Sequence, residues 1–348
     1  MADENDKRTI YMVDMHEPLM FLHNLDTTIK EPFASNPAVL DAVEKNHKKL
    51  QIAMTKLYPG NLVLSLSSGI MYHRLVDRIT ALNDVPREPL VPRRLGKNMC
   101  VPFGKILRGK VVPNTVTKTL HTDKVYEPDL NSFTIEPFPY YSPLKSQIET
   151  IKSFDRPVIL VDDLVHTANR LQVLVPQFRE DGIPIKKVVV GVLSGYGRDL
   201  MQCLKVPVES IYSMPNLRQW FVESTLYPFI GGDTVRREEM KVAGLQPSIN
   251  MILPYATPRL SGCSREALVE FSACCIENSR DLFQVLEAEY RKMYAKNLTL
   301  SRLSEAVILP LCPDKGSCME YDENLAASVY LENDLETLWR MKEFLIKG

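Results

Sequence analysis

The sequence predicts an α/β protein whose core is a doubly wound, mainly parallel sheet. Residues 158–161 and 188–193 form nearly continuous apolar runs, which are typical of strands buried on both faces of a parallel sheet. Helical patterns follow both runs, so that strand, helix, strand, helix and strand alternate between residues 156 and 214. Parallel strands joined in this way are connected by right-handed crossovers, with helices packed on the sheet.

The composition is typical of a soluble globular protein. The chain has 348 residues, of which 45% are hydrophobic and 24% charged, and its formal net charge is -1. These values are close to the average, and a balanced charge gives no argument for a nucleic acid or a membrane surface. The polar N-terminus lacks a signal-peptide pattern, no apolar run reaches about 18 residues, and the seven cysteines have no framework spacing. We therefore expect a cytoplasmic protein with reduced thiols.

The first part of the sheet precedes a long insertion. Residues 36–57 carry apolar side chains at helical spacing, residues 61–67 indicate a strand, and a turn at Ser68 and Gly69 leads into a helix over 70–82. Residues 87–153 are rich in Pro, Lys and Arg, with short strand-like runs and no long helical pattern. We expect them to form a β-rich insertion of loops and hairpins, called the hood below.

After the hood the α/β pattern resumes and then gives way to helices. The expected elements are a strand at 156–163, a helix at 168–181, a strand at 186–193, a helix at 198–204, a strand at 208–214, a strand-like piece at 250–255, and helices at 265–296 and 331–346. The expected domains are an N-terminal arm (1–35), an α/β domain (36–245) and a mainly helical C-terminal extension (246–348). The sequence does not reveal the role of the extension.

Two adjacent carboxylates, Asp162 and Asp163, directly follow the apolar run 158–161. Buried acids are stable when they meet hydroxyls, cations or water, and doubly wound sheets bind ligands at the carboxyl ends of their strands. The segment from His166 opens the next helix, whose backbone N–H groups and dipole favour an anion at the same place. This combination suits a sugar phosphate. The alternative is that Asp163 or Thr167 merely caps the helix.

Residues 158–170 resemble the motif that binds 5-phosphoribosyl 1-pyrophosphate (PRPP) in the type I phosphoribosyltransferases. Like that motif, they contain four hydrophobic residues, two acidic residues, two hydrophobic residues and a turn similar to Thr-Gly-x-Thr. The strand, turn and helix at 61–82 resemble the family's pyrophosphate-binding element, and the hood stands where the family has a mobile, basic loop. The resemblance covers about residues 36–214 in the order of elements, although only 162–169 is specific.

The resemblance implies transfer of a 5-phosphoribosyl group from PRPP to a nucleobase or related nitrogen acceptor, with pyrophosphate leaving and Mg²⁺ as the cofactor. It implies that Asp162 and Asp163 hold the ribose hydroxyls, directly or through the hydrated metal. The residues implied to bind the ribose and its phosphate are Asp162, Asp163, Thr167, Ala168, Asn169 and Arg170, and those implied to bind pyrophosphate are Ser67, Ser68 and Gly69.

His166 is the third candidate catalytic residue besides the two aspartates. It occupies the position where purine-using members of the family carry an acid that handles the proton of the base. An imidazole that titrates near neutrality suits that task. The alternative is a turn residue exposed to solvent.

Three positions depart from the family pattern. The family has Gly at the position of Ala168, Thr or Ser at the position of Arg170, and often Lys or Arg at the position of Ser68. A Cβ at position 168 is tolerated at negative φ but is strained in a left-handed turn, whereas a guanidinium can bind phosphate itself. These departures favour a second hypothesis, a non-catalytic phosphoribosyltransferase-like module that binds PRPP or a nucleotide as a sensor or as part of a larger enzyme.

The hood concentrates positive charge in a chain of balanced charge. We interpret this charge as a field that steers a polyphosphate, and a solvated loop or an RNA-binding patch are the alternatives. Aromatic residues are sparse within the run, which disfavours RNA. The expected partner is thus a small phosphoribosyl compound or nucleotide, and the resemblance implies a homodimer. The basic residues are Arg87, Arg93, Arg94, Lys97, Lys105, Arg108, Lys110, Lys118 and Lys124.

Overall fold

The computed structural model describes residues 18–92, 94–237, 242, 244–258, 260, 262–315 and 320–347. The strands are β1 (Leu19–His23), β2 (Val63–Ser67), β3 (Met99–Pro102), β4 (Val116–Thr117), β5 (Thr122–Tyr126), β6 (Phe133–Pro137), β7 (Val158–Val165), β8 (Ile185–Ser194), β9 (Val208–Met214), β10 (Gln219–Val222), β11 (Asp233–Val235), β12 (Gln246–Ile249) and β13 (Leu311–Pro313). The α-helices are α1 (Pro37–Leu57), α2 (Ser68–Leu82), α3 (Leu144–Lys152), α4 (Asn169–Glu180), α5 (Gly195–Cys203), α6 (Glu223–Leu226), α7 (Arg265–Tyr294) and α8 (Ala327–Lys347).

The central sheet has the strand order β4-β3-β7-β8-β9, and all of its strands are parallel. The helices α4 and α5 connect β7 to β8 and β8 to β9, as the alternating pattern predicts. One face of the sheet packs against α3, α4 and α5 through side chains such as Ile148, Leu174 and Met201. The other face packs against α2, which contributes Leu75 and Ile79. The predicted α/β class with a mainly parallel sheet is therefore confirmed.

A second parallel sheet, with the order β10-β1-β2, differs from the expected arrangement. The strand expected at 61–67 does form, as β2, but it pairs with β1 rather than joining the central sheet. In β1, Leu19 and Phe21 pack in one core with α1 and α7, whereas Met20 and Leu22 pack in another with α2. Because side chains alternate along a strand, β1 fills two cores at once. The range expected to be an N-terminal arm thus contains a central strand, and its residues 1–17 lie outside the described residues.

The hood range contributes to two sheets. Its strands β5 and β6 form the expected antiparallel hairpin, from Thr122 to Pro137, within a third sheet of order β13-β12-β11-β5-β6. By contrast, β3 and β4 lie beside β7 in the central sheet. The sequence did not predict that β3 and β4 belong to the central sheet. Short Pro-rich strands have the same local pattern whichever sheet they join.

The long helices of the C-terminal region confirm the helical patterns there. α7 packs between α1 and α8, and the three helices share one core with β1 and residues of α6, including Phe21, Val43, Leu226, Phe283 and Leu331. Elements on both sides of the expected boundary at residue 245 therefore share a core. Within the described residues, no helix combines the length and the apolar surface that a bilayer crossing requires.

Candidate ligand-binding site at the carboxyl end of the central sheet

The predicted acid pair lies where the order of the strands reverses in the central sheet. From β3 the chain passes to β4 on one side, and from β7 it passes to β8 on the other. At such a switch point the loops after two neighbouring parallel strands diverge and leave a crevice for a ligand. The loop after β3, residues 103–109, and the turn after β7, residues 166–168, therefore form the two walls of the candidate site.

Asp162 and Asp163 lie within β7 rather than at its carboxyl end, where the sequence predicted them. The strand runs from Val158 to Val165, and its parallel pairing with β8 continues past the two acids to Leu164 and Val165. Consecutive side chains of a strand point to opposite faces, so the two carboxylates meet different partners. The sequence suggested a single acid pair, whereas in the strand the two carboxylates face different sides of the sheet.

The Asp163 carboxylate is held by the backbone of the loop after β3. It accepts hydrogen bonds from the N–H groups of Lys105 at 2.6 Å and Ile106 at 3.1 Å. Gly104 allows this approach, because a Cβ at that position would lie 2.4 Å from Oδ1 of Asp163. These backbone donors were missed by the sequence analysis, because amide groups leave no signature in side-chain identity.

A small cavity of about 30 Å³ lies beside Asp163. Its other walls come from Asn24, Thr27 and Ile106, and from Trp220 of β10. A volume of this size holds about one water molecule. This cavity by itself is therefore too small to hold a sugar.

The Asp162 carboxylate is buried, with 6% of the residue exposed, and it faces α4. Its Oδ1 accepts a hydrogen bond from the N–H of Asp163 at 2.8 Å and lies 3.5 Å from Nη1 of Arg170. Burial raises the pKa of Asp162 from 3.8 to about 7, against the opposing effect of the Arg170 charge. Burial likewise raises the pKa of Asp163, and the two amide donors oppose it. Near neutral pH, Asp162 is thus poised between its two protonation states.

The turn between β7 and α4 is left-handed at Ala168, with φ 51° and ψ 20°. An L-residue in this conformation costs roughly 1–2 kcal/mol because its Cβ approaches the following carbonyl. Ala168 therefore adopts a turn conformation that glycine would adopt without this strain. Among the described residues, no side-chain hydrogen bond caps α4, so neither Asp163 nor Thr167 acts as the cap of this helix. The exposed Thr167 hydroxyl instead accepts from Nδ2 of Asn169 at 2.8 Å.

Basic side chains of the hood and of α4 converge on the acids. The charges of Arg108 and Arg170 lower the pKa of Asp162 and of Asp163 against the effect of burial. Arg108 donates through Nη2 to the carbonyl of Thr122 at 3.2 Å and stacks over Phe138. Its Nε is buried without a hydrogen-bond partner among the described residues. An unpaired charged donor is costly to bury, so Nε of Arg108 is a ready donor for an anion.

The remaining basic residues of the hood are dispersed rather than gathered at the acids. Arg87 forms an ion pair with Asp77, and Lys110 lies over the ring of Tyr72. Arg93 lies outside the described residues. The charge run thus contributes to the crevice mainly through Lys105 and Arg108.

His166 lies at the rim of the crevice and contacts the end of β8. Its Nδ1 is 2.8 Å from Oγ of Ser194, and that oxygen also accepts from the N–H of Gly197 and so caps α5. The ring is half-buried, and burial lowers its pKa. Burial thus favours the neutral form of the His166 imidazole, which is held against the end of β8 rather than free in solvent.

Ser67 is the last residue of β2 in the second sheet, and Ser68 and Gly69 are the first residues of α2. Ser68 starts α2 at the end of β2, and its buried hydroxyl donates to Oδ1 of Asp26 at 3.2 Å. The first turn of α2 still reaches the central sheet, because Met71 packs against the backbone at Gly191. The hydroxyl that the resemblance assigns to pyrophosphate therefore has a partner of its own in the chain.

The acid pair does not fit a free Mg²⁺ ion. This ion takes ionised carboxylates and retains several waters, whereas burial raises the pKa of both aspartates. The guanidinium of Arg170 already supplies positive charge at 3.5 Å from Asp162, and it would repel a divalent cation.

Comparisons with known proteins find few similarities. No model of a known protein family matches the chain, and no curated protein matches it in sequence. One solved structure with some similarity is a purine phosphoribosyltransferase from Pyrococcus horikoshii. It has a TM-score of 0.27 and 13% sequence identity, over 44% of this chain and 86% of that chain.

Proposed function

We propose that this protein binds a 5-phosphoribosyl compound, PRPP or a nucleotide, in the crevice between β3 and β7. In this proposal the chain is a phosphoribosyltransferase-like module that acts as a sensor or as part of a larger enzyme. The observation that carries it is the strained turn at Ala168, which follows the strand that holds Asp163 and the buried Asp162. Backbone strain that a sequence retains at a strand end, beside buried charges, is typical of ligand sites.

In the proposed complex, groups of the ligand replace contacts that the site residues make with one another. Ribose hydroxyls replace the guanidinium of Arg170 at Asp162, and the released guanidinium pairs with the phosphate. The N–H groups at the start of α4 and Nε of Arg108 supply further donors to the same anion. Mg²⁺, where it takes part, would bind together with the phosphates of the ligand, since the aspartates alone are a poor site for it.

Phosphoribosyl transfer to a nucleobase or related nitrogen acceptor is the second candidate function. His166 favours it, because a neutral imidazole at the rim can accept a proton from the acceptor nitrogen. Against it stand Arg170 and Ser68, which use their side chains within the chain. We therefore rank binding first and transfer second.

Isothermal titration of the full chain with PRPP, ribose 5-phosphate and AMP, each with and without Mg²⁺, tests the proposal. We expect a dissociation constant in the micromolar range, which corresponds to a binding free energy of about -8 kcal/mol. The double variant Asp162→Asn, Asp163→Asn should lose this binding and keep its fold. Asp155→Asn is the matched control, because it makes the same change at an exposed residue with φ 49° that Asn tolerates.

Two results would refute the assignment, namely no binding by the wild-type chain or equal affinity in the double variant. Release of pyrophosphate from PRPP in the presence of nucleobases separates the two candidate functions. Binding without release supports the sensor or module, whereas release that depends on His166 supports transfer.

A further inference from the structure

A second cluster of reactive side chains lies at the carboxyl end of the three-stranded sheet. His23 is the last residue of β1, and Glu223 directly follows β10. These strands are parallel neighbours, so their carboxyl ends meet at one edge. His47 of α1 covers the same edge. None of these residues belongs to the phosphoribosyl site.

The potential ligand atoms of the three side chains lie close enough together to bind one ion. Nδ1 of His23 lies 3.1 Å from Oε2 of Glu223, and Nδ1 of His47 lies 2.7 Å from Oε1. All three potential ligand atoms lie within 4.8 Å of one another. Zinc bonds to imidazole and carboxylate are about 2.0–2.2 Å long, which places neighbouring ligands of one ion roughly 3–3.6 Å apart. Small side-chain rotations therefore suffice to surround a cation.

The burial of Glu223 explains why a cation would be favoured there. Its side chain is 0% exposed, whereas those of His23 and His47 are 12% and 24% exposed. A carboxylate removed from water needs a counter-charge or strong donors. A cation held between the carboxylate and the two imidazoles supplies that charge, and the partly exposed histidines leave it a path from solvent.

Neighbouring side chains hold the candidate ligands in orientation. Nε2 of His23 lies 3.1 Å from Oγ of Ser65, which also accepts from Nε2 of Gln51. The hydroxyl of Tyr227 donates to Oε1 of Glu223 at 3.0 Å. A metal-binding histidine typically has its second ring nitrogen held by such an outer partner. His23 and Glu223 thus have the outer partners that metal ligands typically have.

We propose that His23, His47 and Glu223 form a site for a divalent transition-metal ion, with Zn²⁺ as the best match. Two imidazoles and one carboxylate suit Zn²⁺, Mn²⁺ or Fe²⁺, whereas Mg²⁺ and Ca²⁺ prefer an all-oxygen set. Three protein ligands leave at least one coordination position for water or a bound molecule. The other explanation of the cluster is a hydrogen-bonded group in which both imidazoles donate to Glu223 without any metal.

Titration of the chelator-treated full chain with Zn²⁺ and Mn²⁺, with Mg²⁺ for comparison, tests the proposal. We expect one equivalent of Zn²⁺, no measurable Mg²⁺, and a rise in melting temperature on Zn²⁺ addition. His47→Gln is the preferred variant, because His47 is the more exposed of the two imidazoles, and it should weaken Zn²⁺ binding at least about 100-fold. The exposed His73 provides the matched control His73→Gln, which should bind as the wild-type chain does.

The absorption spectrum of the Co²⁺-loaded wild-type chain gives a readout that needs no variant. Nitrogen and oxygen ligands produce weak visible bands, whereas a site on the exposed Cys203 would add a thiolate charge-transfer band. Absence of stoichiometric binding, a thiolate spectrum, or unchanged affinity in folded His47→Gln would each overturn the proposal. Because Asp162→Asn with Asp163→Asn should leave Zn²⁺ binding intact, failure of one site does not decide the other.

Discussion

The guanidinium of Arg170 lies 3.5 Å from the carboxylate of Asp162, Nη1 to Oδ1, across the turn that joins β7 to α4. The resembling family has a hydroxyl at the position of Arg170. In this chain Arg170 turns back on the acid that the resemblance assigns to the ribose hydroxyls, and its guanidinium pairs with that acid. A ligand must therefore displace an internal partner before it can reach Asp162, which lowers its net affinity.

Substitution of Arg170 by Gln should raise the pKa of Asp162 further above its ordinary value of 3.8. The Arg170 charge is the largest influence that lowers this pKa, and its removal leaves burial with less opposition. Carbon-detected NMR titration of the aspartate carboxyls measures the change. Arg179→Gln, on the same helix but hydrogen-bonded to the carbonyl of Leu204, is the control. An Asp162 pKa that is identical in Arg170→Gln and the wild-type chain would show that the ion pair does not form in solution.

The raised pKa of Asp162 makes part of the stability depend on pH. Between about pH 4 and 7 the folded protein retains a proton on Asp162 that the unfolded chain has lost. This contribution to the free energy of unfolding is complete below about pH 4 and is lost as the pH rises through about 7, with a slope of at most about 1.4 kcal/mol per pH unit.

Denaturant unfolding of the wild-type chain and Asp162→Asn between about pH 5 and 8 measures this contribution. We expect the wild-type stability to fall relative to that of Asp162→Asn as the pH rises, because the amide does not titrate. Asp155→Asn, at an exposed residue, should keep the wild-type profile. Parallel profiles for the wild-type chain and Asp162→Asn would mean that Asp162 is ionised throughout this range.

Replacement of Ala168 by Gly should stabilise the fold by about 0.5–1 kcal/mol, because glycine adopts the left-handed turn without a Cβ contact. Ala295, at the end of α7, has φ 52° against 51° for Ala168 and provides the control Ala295→Gly, with a similar gain expected. Only Ala168→Gly should also change the affinity for PRPP, in the direction of tighter binding. If both variants bind PRPP as the wild-type chain does, the turn after β7 does not contact the ligand.

Local patterns in the sequence were sufficient to predict the elements around the acid pair. The apolar runs before Asp162 and before Ser194 predict two buried strands, and the helical spacing between them predicts the helix that begins at Asn169 in the structure. Both patterns depend only on neighbours along the chain. The α/β class was therefore predictable.

The tertiary structure alone decided which groups these residues meet. Nothing near Asp163 in the sequence indicates that the amides of Lys105 and Ile106 hold its carboxylate. Likewise His23, His47 and Glu223 form no motif along the chain, because they come together only when β1 pairs with β10 under α1. The spacing of apolar residues indicates which face of a helix or strand is buried. Strand order and register determine what lies opposite that face, and they depend on contacts between residues far apart in the chain.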